Sequence, residues 1–412
     1  MGEPSIESLD FSHLQVLYSI FSAFEPTRST IAAATKYSLV KATNLVNSLE
    51  KMGIVHTAGK TTTNGGRPSY IYQMNGDVGY SVGISIGNDH LQVALSNGTG
   101  NTFHQQRFPL VLPSHPARHA AAIMDRVCAV YESVRREGRG PALSLGLALP
   151  GTVDSKRGLW LQGLQLSGIF HLNIAETLSR RLGIPTYLED VARTLAWLAM
   201  AREPTSLLDH FVLMYLGLGM GTGVVINGNI YSGLHGMAGE IGHIEHANNE
   251  YRCSCNNVGC FETLLSVPGV LRLFRDRLAE GVQSVLQRPG VALGLKQLSL
   301  KEILNAARND DRFAIMTLEE VGTFLGDACA MIVKLFNPAC VMITGPLAIF
   351  KDYFLEPVKR VVAQKVLPEM LEGYETLFVD QDATDEAAGA ALLALDRYLI
   401  DRIAMSNGGK SK

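Results

Sequence analysis

The sequence predicts an α/β protein in two parts: a small winged helix-turn-helix head and a larger body made of two hairpin-opened halves. Three observations predict this. Residues up to about 78 carry three short helical stretches and a pair of strands. From Gly79 onward, Val- and Ile-rich strands alternate with longer helical stretches, and glycines mark the turns, which is the texture of layered α/β domains. The chain of 412 residues carries a net charge of −3, whereas its N-terminal part is basic. The length suits about three domains or lobes.

In the head, Leu14, Leu17, Ile20, Phe21 and Phe24 recur at threes and fours, predicting a helix from Ser12 that Pro26 ends. Arg28 to Ala34 reads as a second helix. Ser38 is a candidate N-cap for a third, which runs to about Met52 and stops at Gly53. Ile54 to Ala58 and Tyr70 to Met74 read as strands around a polar loop. Between Pro26 and Asn75, six cations (Arg28, Lys36, Lys41, Lys51, Lys60, Arg67) face one acid, Glu50, a local balance of +5. That asymmetry is the footprint of phosphate contact, so the head is expected to bind DNA.

In the body, Tyr80 to Ile86 and Leu91 to Ser96 predict a hairpin around Gly87-Asn88-Asp89-His90. Helices follow near Ala117 to Glu137 and Ile174 to Leu182, with strands at Leu143 to Leu149 and Thr186 to Glu189. Val212 to Leu216 and Gly223 to Ile226 predict a second glycine-linked hairpin. No targeting segment is read. MGEPSIESLD is polar and acidic, unlike a signal peptide, and Ile6 sits where myristoylation needs Ser or Thr. The apolar stretch Phe211 to Ile226 is too short and glycine-broken to span a membrane. The expectation is a soluble cytoplasmic protein.

Cys128, Cys329 and Cys340 are isolated in apolar surroundings and read as core residues. Cys253, Cys255 and Cys260 are clustered in polar surroundings, with His243 and His246 upstream. One imidazole and three thiols suit a closed tetrahedral zinc site. Either histidine satisfies that chemistry. Four protein ligands leave no open position, so the zinc is expected to be structural.

GEIGHIEHANNEYRCSCNNVGCFE, from Gly239 to Glu262, resembles the ROK family signature of GExGH followed by CxCGxxGCxE, with Asn256 in place of a glycine. ALPG (Ala148 to Gly151), Glu189-Asp190, LGLGMGTGVVINGNIYSG (Leu216 to Gly233), NPACVMITG (Asn337 to Gly345) and GAA (Gly389 to Ala391) match further pieces. This family groups sugar kinases with sugar-responsive repressors of N-acetylglucosamine, xylose and glucose type. The resemblance implies two actin-like, ribonuclease-H-like lobes with a sugar cleft between them. It implies a head over residues 1–78, one lobe over 79–196 completed by a C-terminal helix over 383–404, and a second lobe with the zinc loop over 197–382. It assigns the metal to His243, Cys253, Cys255 and Cys260. It places sugar contacts on Gly151, Glu189, Asp190, Glu240, His243 and Glu262, with Glu189 standing where the family has Asn and Gln165 where a further Asn is expected. Carboxylates suit sugars because each accepts charge-assisted hydrogen bonds from hydroxyls. Asp190 and Glu240 are expected on opposite sides of the cleft.

Kinase members carry a DxGxT-type loop on the first hairpin. Here Ser85, Asn88 and Asp89 replace its Asp, second Gly and Thr, and Asp89 would repel phosphates. Thr344-Gly345-Pro346 stands where kinases have a glycine pair, although Gly217 to Gly223 is kept. The resulting expectation is a non-enzymatic repressor of carbohydrate-metabolism genes, released from operator DNA by a sugar or sugar phosphate. An active ATP-dependent sugar kinase with an appended head, and a repressor governed by a transporter component, are the alternatives. DNA contact is expected from Ser38, Lys41, Thr43, Asn44 and Asn47 of the third helix and from Arg67 in the Gly65-Gly66-Arg67-Pro68 wing. A homodimer or dimer of dimers is expected, because one winged helix reads only a half-site.

Overall fold

A computed structural model describes the chain apart from residues 1–4, 62–67, 164–165, 203–208, 248, 288–297, 381, 383–384 and 409–412. The chain divides into two compact units. One comprises Met1–Leu149, Val153–Glu189 and Ala383–Lys412, the other Pro150–Thr152 and Asp190–Asp382.

The first unit opens with α1 (Phe11–Ser22), α2 (Arg28–Thr35) and α3 (Leu39–Lys51), followed by antiparallel β1 (Val55–Lys60) and β2 (Tyr70–Met74). Asp10, Thr27 and Ser38 cap the three helices by accepting from backbone amides. Lys36, at φ 57, terminates α2 in the left-handed region and makes the tight turn into α3. The body of the unit continues with β3 (Tyr80–Ile86), β4 (His90–Asn97), β5 (Thr102–Pro109), α4 (His119–Val134) and β6 (Ala142–Leu149). Then come the small β7 (Thr152–Asp154), β8 (Leu159–Gln162) and β9 (Phe170–Leu172), followed by α5 (Ile174–Leu182) and β10 (Thr186–Asp190). The main sheet runs β10-β6-β3-β4-β5, with β3, β4 and β5 antiparallel and β6 parallel to β3.

The second unit begins with α6 (Val191–Arg202), β11 (His210–Leu216), β12 (Met220–Ile226) and β13 (Asn229–Ile230). After the cysteine-bearing loop come α7 (Glu262–Leu265), α8 (Val267–Ala279), α9 (Leu300–Arg308), α10 (Arg312–Phe336), β14 (Cys340–Thr344), α11 (Lys351–Lys365) and β15 (Glu375–Phe378). Its sheet runs β13-β12-β11-β14-β15. Both sheets therefore share one order, third-second-first-fourth-fifth, with an antiparallel opening hairpin and a fourth strand parallel to the first. The two-hairpin reading of the sequence is met by this duplicated topology.

The chain returns to the first unit as α12 (Asp385–Gly408). This helix serves two cores. Gly83 on β3 and Gly146 on β6 give it close seats: a Cβ there would lie 1.8 Å from the Ala387 carbonyl and 1.9 Å from that of Ala390. Further along, Leu395, Tyr398 and Leu399 join Leu14, Leu17, Ile20, Ile31, Val46, Leu49 and Tyr72 in one buried cluster. The Tyr18 hydroxyl donates to Asp396 at 3.2 Å, and Arg402 donates to the Glu7 carbonyl at 2.7 Å. The core of the head thus extends past residue 78. The units divide between Glu189 and Asp190, where the sequence suggested 196, because α6 beds on the second sheet. Gly223 of β12 lies under it, where a Cβ would meet Ala192 and Ala196.

Three details differ from the sequence reading. β5 is absent from the sequence reading; its stretch TFHQQRFP is largely polar and its residues are exposed or half-buried, none fully buried. The strand expected from Gly223 starts at Met220. Cys329 and Cys340 are buried, but Cys128 is only half-buried. Among the described residues no helix is long and apolar enough to cross a membrane.

Candidate metal and ligand site

The cysteine loop folds back on itself through paired backbone at Glu245 with Cys260 and Arg252 with Val258. Its tip turns at Asn256, whose φ of 74 is left-handed and whose amide donates to the Cys253 carbonyl at 3.0 Å. Asn is among the non-glycine residues that best tolerate this conformation. That explains how Asn256 replaces a glycine without breaking the motif. His243 ends the short turn Ile241–His243. Its ring and the sulfurs of Cys253, Cys255 and Cys260 offer four donor atoms within 4.8 Å of one another. Cys253 Sγ lies 3.6 Å from His243 Nδ1, and Cys255 Sγ lies 3.6 Å from Cys260 Sγ. Tetrahedral donors around a zinc-sized ion stand roughly 3.6–3.8 Å apart, so the donor set fits a metal ion. Burial, with help from the neighbouring thiols, pushes Cys260 up to about 12 and raises Cys253. A divalent cation supplies the charge that favours the thiolates. His246, the competing histidine, is directed elsewhere: its Nε2 lies 3.0 Å from Asp327 and its ring packs between Phe261 and Phe324.

Around this loop stand the expected sugar acids of the second unit. Glu240 Oε2 lies 3.8 Å from His243 Nε2. One ring nitrogen thus faces the cysteines while the other faces a carboxylate, the arrangement that fixes a metal-binding tautomer. Loss of solvent raises the Glu240 carboxyl, against the pull of His243 and Arg193; Glu262 adds to the rise. Glu262 is buried at the start of α7. Its Oε2 accepts from the Met220 amide at 3.2 Å and its Oε1 from Ser254 Oγ at 3.3 Å. Asp190 accepts from the Arg193 amide at 3.0 Å and faces the Arg193 guanidinium at 3.1 Å. Gly151 sits at φ 89, a conformation that favours glycine. Gln165 lies outside the described residues.

Glu189 is the exception. Only 1% exposed, it accepts from Arg397 of α12 at 2.7 Å, while the same arginine holds the Leu188 carbonyl at 2.8 Å. That ion pair ties β10 to α12 inside the first unit. The expectation that Asp190 and Glu240 fall in different lobes is not met, since both belong to the second unit and Arg193 acts on both.

On α3, Ser38 spends its hydroxyl on the Lys41 amide at 3.2 Å, Lys41 lies over the Tyr37 ring, and Asn47 accepts from Arg28 at 2.8 Å. Asn44 is exposed and Thr43 half-buried. Arg67 and its glycines lie outside the described residues. Beside the capping serine stand Leu39 and Val40, the latter 71% exposed. Pattern reading passed over them because apolar residues are usually assigned to a core.

In the phosphate-type loops, Ser85 donates to Glu386 at 2.5 Å, and Asp89 is exposed beside His90 and Arg107. The His90 contact, chiefly, lowers the Asp89 carboxyl below its ordinary value. Thr344 donates to the Val379 carbonyl at 3.0 Å.

The chain belongs to the ROK family, which it matches over residues 81–397. It is 25% identical over 354 residues to a xylose repressor of Caldicellulosiruptor bescii, covering 85% of this chain and 87% of that one. The structure is similar to that of a ROK family transcriptional regulator described as a homologue of the E. coli MLC protein, with a TM-score of 0.79 and 22% identity, over 96% of this chain and 100% of the other. A Streptomyces griseus ROK glucokinase, solved with glucose and AMPPNP, matches with a TM-score of 0.64 and 22% identity over 77% of this chain and 99% of its own.

Proposed function

We propose that this ROK protein is a sugar-responsive transcription repressor, with a DNA-binding head and a body that takes a sugar or sugar phosphate on Asp190, Glu240, His243 and Glu262. The observation that carries this reading is α12. One stretch of it beds on β3 and β6 and the next closes the core of the head, so the head is built into the body rather than tethered to it. A relative named as a xylose repressor aligns along most of the chain, which agrees with the same reading. Against phosphoryl transfer stand the ionised Asp89 at the first hairpin turn and the Ser85 hydroxyl given to Glu386. Two glycines of the second loop, Gly221 and Gly223, are accounted for by the seat of α6, where a Cβ would meet Ala192. Glu189 is assigned to the Arg397 pair and leaves the ligand set. The metal is zinc in a structural role, held by His243, Cys253, Cys255 and Cys260, where its chemistry is to keep the loop bearing Glu240 and Glu262 in shape. The protein acts as a dimer on paired half-sites.

The test enriches an operator from random duplexes with the full-length protein, then titrates D-xylose, D-glucose, N-acetyl-D-glucosamine and their phosphates. One of these releases the DNA, while Glu240→Ala binds the operator and no longer releases it. An ATP-coupled assay with the same sugars stays silent. Sugar-dependent ADP formation overturns the reading in favour of a kinase. Failure of every sugar to release DNA overturns it in favour of a protein-controlled repressor.

A further inference from the structure

Arg193 is 2% exposed, one turn into α6. Arginine is almost never fully buried unless paired, and this one gathers acceptors from two separate stretches of chain. Its Nη1 faces Asp190 Oδ2 at 3.1 Å and also donates to the Gly236 carbonyl; its Nη2 donates to the Ala238 carbonyl at 2.8 Å. Its own amide donates to Asp190 Oδ1 at 3.0 Å. Gly236 and Ala238 lead directly into Glu240, and the Thr222 hydroxyl fixes the intervening Gly239 carbonyl. Two acids fifty positions apart are therefore referred to one guanidinium. A planar fork can hold several acceptors in fixed directions; an ammonium is a single point charge.

We propose that Arg193 is a positioning residue that locks Asp190 and Glu240 into one pre-formed pair of acceptors for a polyhydroxylated ligand. The ligand's identity rests on the proposed sugar-binding function, but the lock itself exists without ligand. Pre-forming the pair lowers the ordering cost of binding. With both Asp190 oxygens engaged by Arg193, the aspartate serves to accept hydrogen bonds from a hydroxyl rather than to take its proton, so the ligand is bound and left intact.

The experiment compares full-length wild type with Arg193→Gln and Arg193→Lys by amide hydrogen exchange, without ligand. Exchange over 236–240 is expected to accelerate about 10-fold or more in Arg193→Gln, the scale of a lost charged hydrogen bond. α10 and the head should keep their rates, and the metal content should be unchanged. Arg193→Lys should fall between, and it carries the test alone if Arg193→Gln does not fold. Calorimetry with D-xylose, D-glucose and N-acetyl-D-glucosamine then reads the ligand side, where the sugar that binds wild type should weaken about 10-fold or more in Arg193→Gln. Unchanged exchange over 236–240, acceleration spread evenly through the chain, or local acceleration with unchanged sugar affinity each overturns the proposal. If none of the three sugars binds wild type, the sugar reading of the site fails, and the exchange data still decide the lock.

Discussion

The two five-stranded sheets have one strand order and are fastened by different means. In the first unit, α12 lies on β3 and β6, and a buried Arg397–Glu189 ion pair joins it to β10. In the second, α6 lies on β12, and the loop that gathers the His243, Cys253, Cys255 and Cys260 donors follows β13. The scaffold tolerates either fastening because what it demands is a helix seated closely on the opening strands. Both seats are made of glycine facing alanine: Gly83 and Gly146 under Ala387 and Ala390, Gly223 under Ala192 and Ala196. Gly223, which reads in sequence as part of a phosphate-type loop, is required here by helix packing.

The most severe way to sharpen the contrast is to remove each fastening. Arg397→Ala leaves Glu189 buried without its guanidinium and should cost about 3–5 kcal/mol. Cys255→Ser should lose the metal and cost on the order of 4 kcal/mol. Urea unfolding gives the totals, and hydrogen exchange should show the first loosening the first unit and the second loosening the metal loop and its neighbours. Equal loosening of both units by both variants would break the comparison.

The glycine seats offer a graded test. Alanine at Gly83 or Gly146 would put a Cβ under 2 Å from a carbonyl oxygen, whereas at Gly223 its nearest contact is 2.9 Å. Overpacking typically costs about 1–3 kcal/mol, so Gly83→Ala and Gly146→Ala should reach or exceed the upper end and Gly223→Ala the lower. Matched denaturation midpoints across the three would contradict the order.

A smaller effect lies where α12 meets the head. Burial pushes the Asp396 carboxyl up to about 6, against the Tyr18 hydroxyl and Arg397, which pull it down. The folded value lies above the ordinary 3.8, so the folded state keeps a proton that the unfolded chain has released. Stability should therefore fall as pH rises from about 4 to 6 and stay lower above that. Asp396→Asn should flatten this slope and gain about 1–2 kcal/mol at pH 7.5. Thermal melts across that range check both. The slightest effect is expected at Val40. On the proposed function its exposed side chain meets a thymine methyl in the operator, so Val40→Ala should weaken binding about fourfold. Replacing each operator dT by dU in turn should cost the wild type a similar factor at one position and cost the variant nothing there.

Much of this was legible in the sequence because it is local. Ser38 announces the start of α3 through chemistry contained within three residues, and the Cys253-Cys255-Cys260 spacing points to donors that the fold brings within 4.8 Å of one another and of His243. Asn256 shows how a departure from a motif is readable once its φ is known. What stayed hidden is non-local or lacks periodicity. Nothing near Glu189 points to Arg397, 208 positions away. Nothing local marks Arg193, in the apolar stretch of α6, until the carbonyls of Gly236 and Ala238 come round to it. β5 has no apolar run to mark it, since it lies at a sheet edge.

The core shared by the head and α12 also sets an order in time. Tyr18 and its partner Asp396 are 378 positions apart. A ribosome adding about 5–20 residues per second needs roughly 20–75 s to cover that distance. Throughout that interval the three N-terminal helices are present but lack Leu395, Tyr398 and Leu399, the apolar floor on which they close. The head of a nascent chain is therefore assembled last although it is synthesised first, and a chain cut short before α12 carries a head that cannot complete its packing.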